Sequence, residues 1–156
     1  MKILIVCLGN ICRSPLGEAI LQQKAIDNGL PWQVDSAGTN HYHIGEPPHH
    51  LSQKVALMNG LDISQQRSRQ VTAEDFQQYD RIYAMAADVM DDLRRIGNDQ
   101  FESVKTQMFL GPLFPGQNKD VPDPWYGPEP GYHEVFDLIS RGAEAIINDY
   151  LATSGK

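Results

Sequence analysis

The first apolar run, Ile3 to Val6, is too short for a helix and reads as a strand buried on both faces. Gly9 and Asn10 break it, and from Pro15 to Asn28 the spacing turns helical, with Leu16, Ala19, Ile20 and Ile26 recurring among Gln and Lys. Ser14 stands as a candidate N-cap before Pro15, and Asn28-Gly29 as a stop. Trp32 to Ala37 alternates like a strand and ends at Gly38, so about 35 residues spell one βαβ unit. After a polar loop from Thr39 to His50, the pattern predicts a helix over Leu51–Asn59 and a polar stretch from Ile63 to Val71. A capped helix start follows at Thr72–Asp75, then a third strand at Arg81–Met85. A helix over Ala87–Ile96, a fourth strand within Phe101–Leu110 and a closing amphipathic helix over Tyr132–Leu151 complete the series. Between the last two, Gly111 to Gly131 holds six of the ten prolines, which excludes regular structure there. Alternating strands and helices predict one three-layer α/β domain over residues 1–156, with a central four-stranded parallel sheet and helices on both faces. In such sheets ligands bind at the carboxyl ends of the strands, which is where the residues after Val6 lie.

Composition narrows the partners. With 41% hydrophobic and 21% charged residues, the chain has the profile of a soluble globular protein. A net charge of −7 leaves no excess of Lys and Arg to neutralise phosphates, so nucleic-acid and anionic-membrane binding are not expected. Any phosphate chemistry has to rest on a local positive site. No apolar stretch approaches a bilayer span or a signal peptide, and both cysteines fall within the first twelve residues, so no disulfide framework is expected and the default address is cytoplasmic.

The local positive site is legible at the first loop. A strand that ends in a tight polar loop feeding a helix N-terminus presents free N–H groups and the positive end of the helix dipole to an anion. Here the loop begins with Cys7 and ends with Arg13, a C-x5-R spacing. The thiolate is the reactive form of cysteine, and a helix N-terminus beside an arginine favours it. The fork of Arg13 suits two phosphate oxygens at once, and the backbone of Leu8, Gly9, Asn10, Ile11, Cys12, Arg13 and Ser14 can wrap a tetrahedral oxyanion. Ser14 is placed to donate to the Cys7 thiolate and Asn10 to pin the loop through its amide. A thiolate that attacks a phosphate ester needs an acid for the leaving oxygen, and Asp123, set between Pro122 and Pro124, is the candidate. Neither a G-x-x-x-x-G-K-[ST] nor a G-x-G-x-x-G pattern is present, which sets nucleotide-binding loops aside.

Val6-Cys-Leu-Gly-Asn-Ile-Cys-Arg-Ser-Pro15 together with Asp123-Pro-Trp-Tyr126 resembles the low-molecular-weight protein tyrosine phosphatases. Ser36-Ala-Gly-Thr39, Gly45-Glu-Pro-Pro48 and Arg69-Gln-Val-Thr72 with Asp75-Phe76 extend the resemblance over nearly the whole chain. It implies hydrolysis of phosphotyrosine in proteins, with Cys7 as nucleophile, Arg13 as phosphate clamp and Asp123 as general acid and base. It further implies that Asn10, Ser14 and Ser36 support the loop, that Tyr42, Trp125 and Tyr126 wall the substrate cleft, and that Cys12 is a redox partner of Cys7. A reversible Cys7–Cys12 disulfide would protect Cys7 from overoxidation. The expected substrate is a phosphotyrosine protein, a tyrosine kinase among the candidates. The protein is expected to act as a monomer or weak homodimer, without cofactor or metal.

Two departures stand out. Gln66 occupies the position three residues before Arg69 where many members carry His, which bears on the hydrogen bonds behind the loop. His49-His50-Leu51 replaces Asp-Pro-Arg, a change expected to alter only a surface or loop-to-helix contact. His41, His43, His49 and His50 invite a metal, but Pro47-Pro48 separates the pairs and Glu46 is the nearest additional ligand, so a solvated loop is the expectation. The rival functions are three. An arsenate reductase needs further cysteines, and none follows Cys12. An arginine phosphatase tends to carry Thr where Ile11 stands. A non-catalytic phosphate-binding module needs neither a thiol nor an acid.

Overall fold

The computed structural model describes residues 1–154. Four parallel strands, β1 (Lys2–Cys7), β2 (Gln33–Gly38), β3 (Arg81–Ala84) and β4 (Thr106–Met108), form a sheet in the order β2-β1-β3-β4. β1 is central because its side chains are apolar on both faces. Ile3, Ile5 and Cys7 point into one core with Leu16, Leu21, Val135 and Ile139. Leu4 and Val6 point into another with Phe76, Ile82, Val89 and Leu93. The first layer is α1 (Ser14–Asp27) with α5 (Glu129–Ser154); α3 (Asp75–Gln78) and α4 (Ala87–Gly97) cover the opposite face. The remaining helix, α2 (His50–Met58), meets the end of α5 at Tyr132 and Val55. The three-layer α/β architecture is as expected from the sequence.

Two boundaries, those of α1 and α5, differ from expectation. Ser14 does not cap α1; it is the first helical residue, and Arg13 sits at the cap with no side-chain cap bond. Its hydroxyl is engaged elsewhere, as described below. β4, three residues long, falls within the Phe101–Leu110 window as expected, while Phe101 itself packs edge-on against Phe76. α5 starts three residues before Tyr132, inside the proline-rich segment. Pro130 lies in its first turn, where a missing N–H breaks no helical bond.

Register carries the sheet into the loop that follows β1. Cys7 pairs with Gly38 at the carboxyl end, and Gly38 bridges in turn to Gln70. A Cβ at Gly38 would stand 2.6 Å from Leu8 O and 3.0 Å from the Gly9 carbonyl carbon, so the loop can lie on β2 only because that residue has no side chain. Among the described residues, no helix is long and apolar enough to cross a membrane.

Candidate active site

The loop from Leu8 to Arg13 is held by its carbonyl groups. Thr39 N–H donates to Cys7 O (3.0 Å), Asn40 N–H to Leu8 O (3.0 Å) and His49 N–H to Ile11 O (2.8 Å). Ser68 Oγ donates to Gly9 O (2.9 Å) and Ser52 Oγ to Cys12 O (3.1 Å). A trans peptide unit points its N–H away from its C=O. Fixing these five carbonyls from outside therefore turns the N–H groups of Leu8, Gly9, Asn10, Cys12 and Arg13 inward. Asn10 N–H is found there, 3.3 Å from Cys7 Sγ. Asn10 takes a left-handed backbone (φ 58°), which closes the loop tightly and which asparagine tolerates better than most residues.

Behind the loop, Asn10 Nδ2 donates to Ser14 Oγ (2.8 Å) and to Ser36 Oγ (3.0 Å), and Ser14 Oγ lies 3.0 Å from Cys7 Sγ. The three residues named as loop support thus meet in one cluster with Cys7. Gln66 is not part of it: its Nε2 donates to Pro15 O (3.1 Å), and its buried Oε1 has no partner. Ser36 instead donates to Glu18 Oε1 at 2.8 Å. Glu18 is a residue that sequence reasoning missed, since on α1 it looks like an ordinary solvated glutamate. Burial pushes its carboxyl up to about 7, opposed by the Ser36 bond and reinforced by the charge of Asp35.

Arg13 is 3% exposed and is oriented by its Nη1 donating to Val121 O (3.0 Å). Val121 is itself tied to the sheet through its N–H and Met85 O (2.7 Å). Two residues on, Asp123 Oδ2 stands 3.8 Å from Arg13 Nη2, while Asp123 Oδ1 accepts from Trp125 N–H (3.0 Å). A single backbone segment therefore places both the guanidinium and the carboxylate at the mouth of the loop. Cys7, Leu8, Gly9, Ile11, Cys12, Arg13, Tyr42, Asp123, Trp125 and Tyr126 line a cleft of about 270 Å³, joined by Asn40, which the sequence did not single out, and by His43, which it raised only as a metal candidate. Tyr126 and Tyr42 are 94% and 74% exposed and stand at its rim.

Two of the histidines, His43 and His49, serve the cleft wall. Trp125 packs against His43 (ring centroids 5.5 Å apart) and edge-on against His49 (5.3 Å), and His49 stacks on Tyr132. His49 Nδ1 also accepts Leu51 N–H (3.1 Å), capping α2 as an aspartate would. Burial and the neighbouring His50 lower its pKa, which keeps that nitrogen free to accept. The His49 substitution thus reaches beyond the loop-to-helix contact expected of it, into the wall beside Asp123. Among the described residues, no three His, Cys, Asp or Glu side chains converge as metal ligands. Both cysteines are free thiols. Cys12 Sγ lies 3.9 Å from Tyr132 Oη, and burial pushes its thiol up to about 12.

Known proteins resemble this chain over nearly its whole length. The family model for low molecular weight phosphotyrosine protein phosphatase matches residues 2–154. The low molecular weight protein-tyrosine-phosphatase YfkJ of Bacillus subtilis is 36% identical over 149 residues, 94% of either chain. Its crystal structure superposes with a TM-score of 0.89 at 35% identity, covering 99% of this chain and 96% of that one. The human low molecular weight phosphotyrosine protein phosphatase is 36% identical over 94% of this chain and 93% of its own. A drosophila arginine phosphatase also superposes, with a TM-score of 0.88 at 28% identity over 96% and 98% of the two chains.

Proposed function

The chain belongs to the low molecular weight phosphotyrosine protein phosphatase family, and from that premise we propose that it hydrolyses phosphotyrosine in proteins through a cysteinyl-phosphate intermediate. The observation that carries this reading is the meeting of Cys7, the inward N–H groups and the Arg13–Asp123 pair at one cleft. Arg13 and the amides hold the equatorial oxygens, and Cys7 thiolate attacks phosphorus in line with the departing phenol oxygen. The phosphorus–oxygen bond breaks as the phosphorus–sulfur bond forms, and Asp123 in its acid form protonates the phenolate. Asp123, now a carboxylate, then takes a proton from the water that displaces Cys7 and releases phosphate. No step calls for a metal, because Arg13 and the amides supply the positive charge.

An aryl ester is favoured over phosphoarginine by Ile11, which lines the cleft with Trp125 and Tyr42 and offers a flat apolar group something to pack against. The acidic balance of the chain favours a protein partner over nucleic acid. The test is a panel of phosphotyrosine, phosphoserine and phosphoarginine peptides, with arsenate plus a thiol reductant as a further arm. Selective release from phosphotyrosine is expected. Cys7→Ser should abolish turnover while retaining vanadate binding, and Asp123→Ala should slow release most for poor leaving groups. Near-normal hydrolysis by Cys7→Ser would remove the nucleophile assignment, and preferential release from phosphoarginine would replace the substrate class.

A further inference from the structure

The hydrogen bonds behind the loop have a direction that the amide of Asn10 fixes. Arg69 N–H donates to Asn10 Oδ1 (3.1 Å), so the amide nitrogen faces the other way and spends its two protons on Ser14 and Ser36. Each serine accepts from Asn10 and has one proton left to give. For Ser14 the nearest acceptor is Cys7 Sγ at 3.0 Å, with Ala37 O more distant at 3.5 Å. For Ser36 it is Glu18 Oε1. Gln66 contributes nothing to this chain of bonds, since its amide is turned to Pro15 and its oxygen has no partner. Glu18 is where the chain ends.

We propose that Glu18 is a positioning residue of the catalytic loop: as acceptor of the Ser36 proton it sets the direction of the relay Glu18–Ser36–Asn10–Ser14, which presents the Ser14 hydroxyl proton to Cys7. The inference rests on reading Cys7 as the nucleophile. A hydroxyl keeps its lone pairs toward Asn10 only while its proton is engaged elsewhere. Without an acceptor at position 18, the Ser36 hydroxyl turns to find one, and the Asn10 amide loses one of the three contacts that hold it. Ser14 is then free to donate to Ala37 O instead of Cys7 Sγ.

Glu18 also links the relay to pH. It is partly buried on α1, and Asp35 on β2 is the charged group that bears on it. A carboxyl raised to about 7 passes from acid to carboxylate in the neutral range, and the carboxylate is the stronger acceptor for Ser36. The reactivity of Cys7 therefore acquires an inflection that belongs to Glu18.

The experiment reads two quantities across about pH 5 to 9, the span over which a carboxyl near 7 titrates. One is the rate of Cys7 alkylation by iodoacetamide; the other is kcat on a phosphotyrosine peptide. The proteins are wild type, Glu18→Ala, Glu18→Gln, Ser36→Ala and the Glu18→Ala/Ser36→Ala double variant. Each alanine variant is expected to lose about tenfold in kcat, the size of one charge-assisted hydrogen bond. Glu18→Gln keeps an acceptor carbonyl, so it should recover to within about threefold of wild type while losing the neutral inflection. The double variant should fall no further than the worse single one, because both remove the same link. A wild-type alkylation profile in Glu18→Ala, or losses that multiply in the double variant, would overturn the proposal. If Glu18→Ala does not fold, Glu18→Gln and Ser36→Ala decide the matter, and a neutral inflection that persists in Glu18→Gln overturns it. Alkylation needs no substrate, so a failure to hydrolyse phosphotyrosine would count against the proposed function while the relay remained under test.

Discussion

At the scale of the residue, the two cysteines share a loop and differ in chemistry. Cys7 stands beside Ser14 Oγ and Asn10 N–H, both able to donate to a thiolate, whereas Cys12 faces Tyr132 in a buried setting that pushes its thiol up to about 12. Brief treatment with iodoacetamide at about pH 8 should label Cys7 and leave Cys12 unmodified, as read by peptide mass spectrometry; equal labelling would contradict the environment described for Cys12. The same burial makes Cys12 a slow resolving thiol, since exchange runs through the thiolate. Glu18 leaves its own mark on stability. Its folded pKa lies above the ordinary carboxylate value, so between about 4.5 and 7 the folded chain holds more protons than the unfolded one, and stability falls as pH rises through that window. Glu18→Gln should therefore raise the melting temperature more at pH 8 than at pH 4.5. An equal shift at both values would show that Glu18 does not titrate in that window.

At the scale of the element, β1, the loop and α1 were legible in the sequence because consecutive residues determine them. A doubly buried strand, a Gly-Asn break and a proline at the helix start each act within a few positions. Glu18, Asn40 and His43 were not, because their roles depend on which segments the sheet order brings together. Glu18 matters only once β2 sets Ser36 beside α1, and His43 only once Trp125 folds back onto it. The fourth strand was legible only as a window for a related reason: Phe101 is apolar for the sake of Phe76, not of a strand. At Gly38 the contact between elements is backbone on backbone. Gly38→Ala would drive a methyl group against Leu8 O, so β2 and the loop must part. The expected result is a loss of about 1–3 kcal/mol in urea unfolding, with a fall in kcat that exceeds any change in KM. Wild-type stability in that variant would mean that the two segments separate at no cost.

At the scale of the whole molecule, a local cationic site sits on a chain of net charge −7. The guanidinium and amides attract a phosphoryl group at close range, while the overall field repels an acidic peptide at longer range, and salt screens only the second strongly. The ratio of kcat/KM for an acidic over a basic phosphotyrosine peptide should rise as NaCl is increased from about 20 to 200 mM, a range in which the Debye length drops severalfold. Competition by chloride at the loop affects both peptides and cancels in the ratio. A ratio that does not change would place the charges that matter inside the cleft.

The chain has two tryptophans, and they stand in separate environments. Trp32 is 5% exposed and meets Tyr150 edge-on in the core, whereas Trp125 is 39% exposed and rests on two imidazoles beside Asp123. Intrinsic fluorescence is thereby divided into two channels without any label. Trp125→Phe leaves an indole that follows unfolding, and Trp32→Phe leaves one that follows the cleft wall. Vanadate titrated into the second variant should change its emission at concentrations that leave the first one unchanged.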